Sequence, residues 1–202
     1  MSAKPPPEGA DLTEATVASR LVYPGGFLRV HRDEIRLPDG RSAWREWVGH
    51  PGAVMMLPFL DERTVLLERQ YRYPLRRHFI EIPAGKLEPD EEALATARRE
   101  LVEECGYEAA EWRHLATLHP CIAYSDEAIE FYACRDLAHV GSRLDAGEHL
   151  EVLAVDLGDA LAWVRAGIIT DTKTTFGLLW WAQWGAQAWD APPAGPDGQE
   201  RP

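Results

Sequence analysis

The sequence predicts an α/β layered domain, on three observations. Short β-type segments crowd the chain as far as about residue 73, one strongly helical segment runs from Pro89 to Glu104, and two more β-type segments precede a pair of helical ones. Strands interleaved with helices belong to stacked layers, not to a bundle or an all-β sandwich. With 202 residues, 46% of them hydrophobic, the chain can bury one sizeable core. A single domain is expected over residues 19–189.

Taken in order, residues 1–18 are rich in Pro, Ala and Glu, and residues 190–202 are rich in Pro and Gly. Such segments bury too little apolar surface to offset the entropy of ordering, so both are expected as poorly ordered tails. Between residues 24 and 50, the alternation in Phe27-Leu28-Arg29-Val30 and Ile35-Arg36-Leu37, with a turn at Pro38-Asp39-Gly40, predicts an antiparallel meander. AVMMLPFL and TVLLERQYRY are apolar enough to be central strands, joined through Asp61-Glu62-Arg63. The helix over 89–104 follows from Leu94, Ala97 and Leu101 at helical spacing, with Asp90, Glu91 and Glu92 expected in its first turn and Gly106 just past its end. AIEFYACRDL and EVLAVDL then predict strands, and ALAWVRAGII and TKTTFGLLWWAQWGAQAW predict two helices.

A formal net charge of -12 argues against a broad phosphate-backbone surface, so nucleic acid is not an expected partner. Three cysteines without CxxC spacing suggest neither a disulfide framework nor zinc, and fit a reduced cytoplasmic location. No apolar run is long enough to cross a bilayer and the N-terminus lacks a signal-like apolar stretch, so no membrane association is expected. His50, His119 and His149 are scattered, without ligand spacing. Trp180, Trp181 and Trp184 read as packing residues of a terminal helix.

Chemistry enters at Glu100, Glu103 and Glu104, which fall at i, i+3 and i+4 and so share one helix face. Like charges crowded in this way repel by a few tenths of a kcal/mol per pair, unless a positive group sits among them. A hard divalent cation such as Mg²⁺ suits oxygen ligands and bridges carboxylates to phosphates. An acidic helix face alone is more often merely solvated. The wider spacing decides between these readings. Gly85, Glu91, Arg99, Glu100, Leu101, Glu103, Glu104 and Gly106 occupy the specified places of G-x5-E-x7-R-E-U-x-E-E-x-G-U, where U is apolar. Through this box the chain resembles the Nudix hydrolases, with Tyr107 bulkier than the usual final aliphatic residue.

Further strings extend the resemblance from about Leu21 to Trp181 and resemble the ADP-ribose pyrophosphatase branch. They are GGF from Gly25, REW from Arg45, RQYRYP from Arg69, EIPAGKLE from Glu81, YSDE from Tyr124 and TDTKT from Thr170. The resemblance implies an α/β/α sandwich with a mixed sheet and an added N-terminal antiparallel sheet. It also implies Mg²⁺ or Mn²⁺ held by Glu100, Glu103, Glu104 and the carbonyl of Ala84, with Glu81 beside the metals and Arg99 pairing with the carboxylates. Gly85 would let the loop approach closely. Arg72 and Arg45 would hold the diphosphate and adenosine half of a nucleotide-sugar substrate, Phe27 would stack on the base, and Glu127 would lie near the terminal sugar.

A general base is also required. The resemblance implies a loop glutamate, best matched by Glu148, with Asp145 and Glu151 close by in sequence and Glu103 as the other candidate. Relatives use residues equivalent to 19–50 in a two-fold dimer, so a homodimer is expected. Ile122-Ala123 stand where the branch has Pro-Gly, which leaves another nucleoside diphosphate sugar or an NADH-like dinucleotide open as the substrate. A hydrolase of dinucleoside polyphosphates or oxidised nucleotides is a further alternative. A module that binds a nucleotide without cutting it is the rival class, and the intact carboxylates weigh against it.

Overall fold

The computed structural model describes residues 9–144 and 147–190. They form two compact units, residues 9–50 with 121–126, and residues 51–120 with 127–190. Of the expected tails, residues 1–8 and 191–202 lie outside the described residues.

The first unit is a three-stranded antiparallel sheet in the order β1-β2-β3, made of Ala15–Pro24, Arg29–Arg36 and Ser42–Gly49. It corrects the expected boundary at residue 18, because Ala15 already pairs with Arg36. All ten residues of β1 are exposed, so no alternation betrays it in the sequence. The β2–β3 turn closes as expected, with Gly40 at φ 84° donating its N–H to the Leu37 carbonyl. On β2, Asp33 is buried and accepts from Trp47 Nε1 at 2.8 Å, and His31 stacks on the Trp47 ring with centroids 4.3 Å apart.

In the second unit, Ala53–Pro58 (β4) is fully buried and central. It lies in a mixed sheet with Ala84–Lys86 (β7), Ile129–His139 (β9) and Tyr107–Leu118 (β8), in the order β7-β4-β9-β8 and with β4 parallel to β9. A second sheet, β10-β5-β6, is antiparallel and joins Leu150–Asp156, Thr64–Arg72 and Arg77–Glu81. Alternation on the apolar strands makes two cores. Val54, Met56 and Leu66 pack with Ala97 and Leu101, whereas Met55, Leu57, Val65 and Leu67 pack with Ala160 and Leu178. Ala97 and Leu101 belong to the central helix, and Ala160 and Leu178 to α2 (Leu157–Arg165) and α3 (Thr172–Ala188). Helices therefore cover both faces, as the resemblance implied.

The central helix differs from expectation at both ends. α1 spans Ala93–Glu100, and a π-helical turn carries it through Leu101–Cys105. Asp90, at φ 63°, and Glu91 precede the helix, and Glu92 is only its N-cap, so the acidic first turn does not form. Glu91 is instead drawn to Arg99, eight residues on. Gly106, at φ 76°, ends the helix as expected. Burying Leu101 contributes about 1.5–3 kcal/mol. Each like-charge pair costs only a few tenths, so packing decides that the acidic face exists.

Candidate active site

The carboxylates of the box divide into an outer and an inner set. Outside, Arg99 is a hub: Nε and Nη2 reach Glu91 at 3.0 and 2.9 Å, and Nη1 reaches Glu100 at 3.0 Å and Glu103 at 2.8 Å. These bonds hold the Glu91 carboxyl down at about 2. Burial pushes the Glu100 carboxyl up in spite of Arg99, and the charges of Glu103 and Glu148 add to the rise. The arginine thus spaces like charges that a bare helix would not keep so close.

Inside, Glu104 points to the protein interior, 6% exposed, and its Oε2 accepts from the Ala84 N–H at 3.2 Å. Burial pushes its carboxyl well above the usual carboxylate range, and the charges of Glu68 and Glu100 push the same way. Glu68, on β5, is fully buried and accepts from Cys105 Sγ at 3.4 Å. The π turn brings Cys105 and Glu104 together onto β5, a local distortion often found at functional sites.

A third carboxylate, Glu81 on β6, is settled differently. Arg72 grips it with two bonds, Nε to Oε1 and Nη2 to Oε2, both 2.7 Å, and Lys173 Nζ also donates to Oε2. Burial raises this carboxyl, yet Arg72 and Lys173 outweigh burial and hold it below its ordinary value. Lys173 also donates to Asp171 at 2.9 Å. Asp171 caps α3 by accepting from the Thr174 N–H at 3.0 Å and hydroxyl at 2.6 Å, and the same hydroxyl accepts from the Ile82 N–H at 2.9 Å. Arg72, Leu75, Phe79, Glu81, Asp171 and Lys173 line an open cavity of about 190 Å³.

Of the residues singled out in the sequence, the second unit gathers Arg72, Glu81, Ala84, Arg99, Glu100, Glu103 and Glu104 around β5–β7 and the central helix. Glu148 is exposed, and its charge is felt by Glu100 and Glu104. The loop before it is tied to the helix by Arg143 N–H donating to the Glu103 carbonyl at 3.0 Å. Asp145 lies outside the described residues, Glu151 pairs with Arg69 at 3.6 Å on the sheet, and Glu127 is half-buried. In the first unit, Phe27 is exposed and meets His50 edge-on with centroids 5.4 Å apart, while Arg45 Nε donates to Glu14 at 2.9 Å. Glu68, Lys173 and Asp171 were not singled out. The TDTKT string contained two of them, but nothing in the order of residues shows that Glu68 faces Glu81 across two strands.

Among the described residues, no three His, Cys, Asp or Glu side chains converge as a ready-made cation cage. The groups nonetheless fit a divalent cation on two counts. Glu68 Oε2 is buried without a hydrogen-bond partner among the described residues. Gly85 also leaves room that a Cβ would fill, since one placed there would fall 2.0 Å from the Glu100 carboxyl. An all-oxygen, anionic donor set suits Mg²⁺ or Mn²⁺.

Residues 49–172 match the NUDIX domain family, and residues 14–48 match the nucleoside diphosphate sugar hydrolase N-terminal domain. An ADP-ribose pyrophosphatase of Bacillus subtilis (strain 168) is 36% identical, with 83% of this chain and 91% of that protein covered. A methanol dehydrogenase activator of Bacillus methanolicus is 34% identical over 82% of this chain and 90% of that one. The crystal structure of an ADP compounds hydrolase shares the fold with a TM-score of 0.78, at 19% identity, covering 87% of this chain and 96% of the other. With the box folded onto the helix that covers one face of the strands and the family pattern spanning most of the chain, the protein belongs to the Nudix family.

Proposed function

We propose that the protein is a divalent-metal-dependent pyrophosphatase that hydrolyses a nucleoside diphosphate linked to a sugar, with ADP-ribose, cut to AMP and ribose 5-phosphate, as its first candidate substrate. The observation that carries this reading is the pairing of an intact carboxylate box with an N-terminal segment of the nucleoside diphosphate sugar hydrolase type. Glu100, Glu103, Glu104 and the Ala84 carbonyl are the groups that hold Mg²⁺ or Mn²⁺, with Glu81 close by. When bound, the cation supplies positive charge against the diphosphate and makes water easier to deprotonate. Arg99 holds Glu100 and Glu103 apart and aligned. Arg72, fixed in plane by Glu81, presents its guanidinium edge to phosphate oxygens. Glu148, or Glu103 in its place, takes the proton from the attacking water. Phe27 and Arg45 receive the nucleoside half, and Glu127 lies toward the terminal sugar.

A homodimer through the N-terminal sheet completes the reading. Its support is β1, an edge strand exposed along its whole length that carries Val17, Leu21, Val22 and Tyr23. Sedimentation at micromolar concentration tests it, and a monomer sinks it. Three free cysteines, with Cys105 and Cys134 buried, support a reducing cytoplasmic location, and no helix among the described residues is long and apolar enough to cross a membrane. The net charge of -12 supports a small anionic substrate met through local cations, not nucleic acid.

The deciding experiment is hydrolysis of ADP-ribose, ADP-glucose, GDP-mannose, NADH and diadenosine polyphosphates, with Mg²⁺, Mn²⁺ or EDTA. AMP release from ADP-ribose above the others, abolished by EDTA, is the expected result. Tight binding without cleavage under any metal would give the chain to the non-hydrolytic, regulatory class. Separately, Glu148→Gln and Glu103→Gln compared across pH identify the base, because only its loss removes the acidic limb of the kcat profile.

A further inference from the structure

We infer that Glu68 is a further carboxylate of the divalent-cation site, reaching it from β5 beneath Glu104. The inference rests on the metal-dependent reading above and adds to it a residue that lies outside the box.

Charge balance is the starting point. Three carboxylates lie out of water on this side of the sheet, Glu68, Glu81 and Glu104, at 0%, 2% and 6% exposure. Arg72 and Lys173 are the cations that reach them, and both are hydrogen-bonded to Glu81. Lys173 divides its remaining capacity with Asp171 and acts on Glu68 only through its charge. Glu68 and Glu104 are therefore close neighbours, while among the described residues no cation is hydrogen-bonded to either. A buried carboxylate left in that condition is destabilising until it takes up a proton or a cation.

Geometry supplies the second observation. Glu68 uses Oε1 to accept from Cys105 Sγ, and its Oε2 is buried without any hydrogen-bond partner. Register pairs Glu68 with Glu81 and with Val152, so its side chain takes the face shared with Glu81 and the carboxylate end of the central helix. With the Glu104 carboxylate beside it and the Cys105 thiol on its other oxygen, the remaining oxygen of Glu68 is placed to meet a hard cation or the water around one. A purely structural Glu68 would have an apolar neighbour or a resident donor at Oε2. Leu66 and Leu67 on the same strand show that β5 packs well with apolar side chains.

The test measures metal binding without turnover. Free Mn²⁺ is followed by electron paramagnetic resonance during titration of the full chain, and thermal unfolding is recorded with and without Mn²⁺, for wild type and Glu68→Gln. The expected result is Mn²⁺ affinity lower by about tenfold or more at the tightest site, in the range that loss of a supporting carboxylate produces. The Mn²⁺-dependent rise in Tm should shrink, while the metal-free Tm is equal to or above wild type because an unpaired buried charge is gone. Unchanged Mn²⁺ affinity overturns the inference, whatever the Tm does, and leaves the metal reading standing. A wild type that binds no Mn²⁺ overturns both. If Glu68→Gln does not fold, Glu68→Asp keeps the charge and withdraws it by one methylene. Weaker Mn²⁺ binding in that variant upholds the inference and unchanged binding overturns it.

Discussion

Glu68 and Glu81 face each other on β5 and β6, both shut off from water, and the protein treats them in opposite ways. Glu81 is held by Arg72 and Lys173, and its carboxyl stays below its ordinary value. Glu68 has a thiol, a neighbouring acid and one oxygen with no partner, and burial pushes its carboxyl up. The local dielectric is similar, so the difference lies in counter-ions. A carboxylate supplied with its own cations is an architectural piece that ties β6 to the start of α3. One without them stands ready for a cation from solution. Within the box, Arg99 grips Glu91 with two bonds and gives Glu100 and Glu103 one each, whereas Glu104 accepts from the Ala84 N–H and, among the described residues, has no arginine or lysine bonded to it.

The sharpest test of this division is Glu104→Gln, on the side without a resident cation. It removes one negative charge that a bound metal would use and keeps the acceptor for Ala84. A loss of roughly 10²–10³ in kcat is expected, from the few kcal/mol of transition-state stabilisation that a well-held cation supplies. Metal-free stability should be unchanged or higher, because Gln needs no proton to stay neutral in the buried position where Glu104 does. Turnover near wild type would remove Glu104 from the cation site.

Glu81→Gln should behave in the opposite way. It leaves Lys173, only 12% exposed, and the Arg72 guanidinium without their shared partner. Breaking a buried pair costs roughly 3–5 kcal/mol, and Arg72 at 45% exposure recovers part of that from water, so about 2 kcal/mol is expected in urea unfolding. Affinity for Mn²⁺ should fall much less than in Glu68→Gln. If Glu81→Gln instead keeps its stability and loses Mn²⁺ binding, the two residues have exchanged roles.

The box, its helix and most strands were legible because they follow local rules. Leu94, Ala97 and Leu101 announce the helix, Gly106 ends it, and β4 and β5 are apolar runs. Other parts carry no local signal. β1 is exposed throughout, and β8 breaks its alternation with a bulge between His114 and Ala116, so only Trp112 and Leu115 are buried along twelve residues. Asp90, Glu91 and Glu92 satisfied the rule for an acidic first turn, yet Arg99 draws Glu91 away by a contact that spans eight residues. The special position of Glu68 is less visible still. Within LLERQYR it looks like the first polar residue of a strand end, and only the pairing with β6 and the π turn at Cys105 bury it.

The smallest expected effect is a pH dependence of the metal-free protein, and its sign follows from the same comparison. Glu68 and Glu104 have folded values raised above the ordinary 4.5. The folded state therefore holds more protons than the unfolded one from that value upward. Their contribution to stability is complete below about 4.5 and is lost as pH rises toward and through the raised values. Glu81 and Glu91 are lowered, so theirs is complete above about 4.5 and is lost as pH falls. In EDTA, stability should peak on the acid side of neutrality and decline gently from about pH 5 to pH 8. Saturating Mn²⁺ should flatten or reverse the decline, because a cation compensates the same buried charges, and Glu68→Gln should flatten it without metal. Chemical denaturation of wild type and variant across that range reads all three curves. A metal-free stability that climbs steadily to pH 8 would mean that Glu68 and Glu104 have counter-ions after all, and the contrast with Glu81 would disappear.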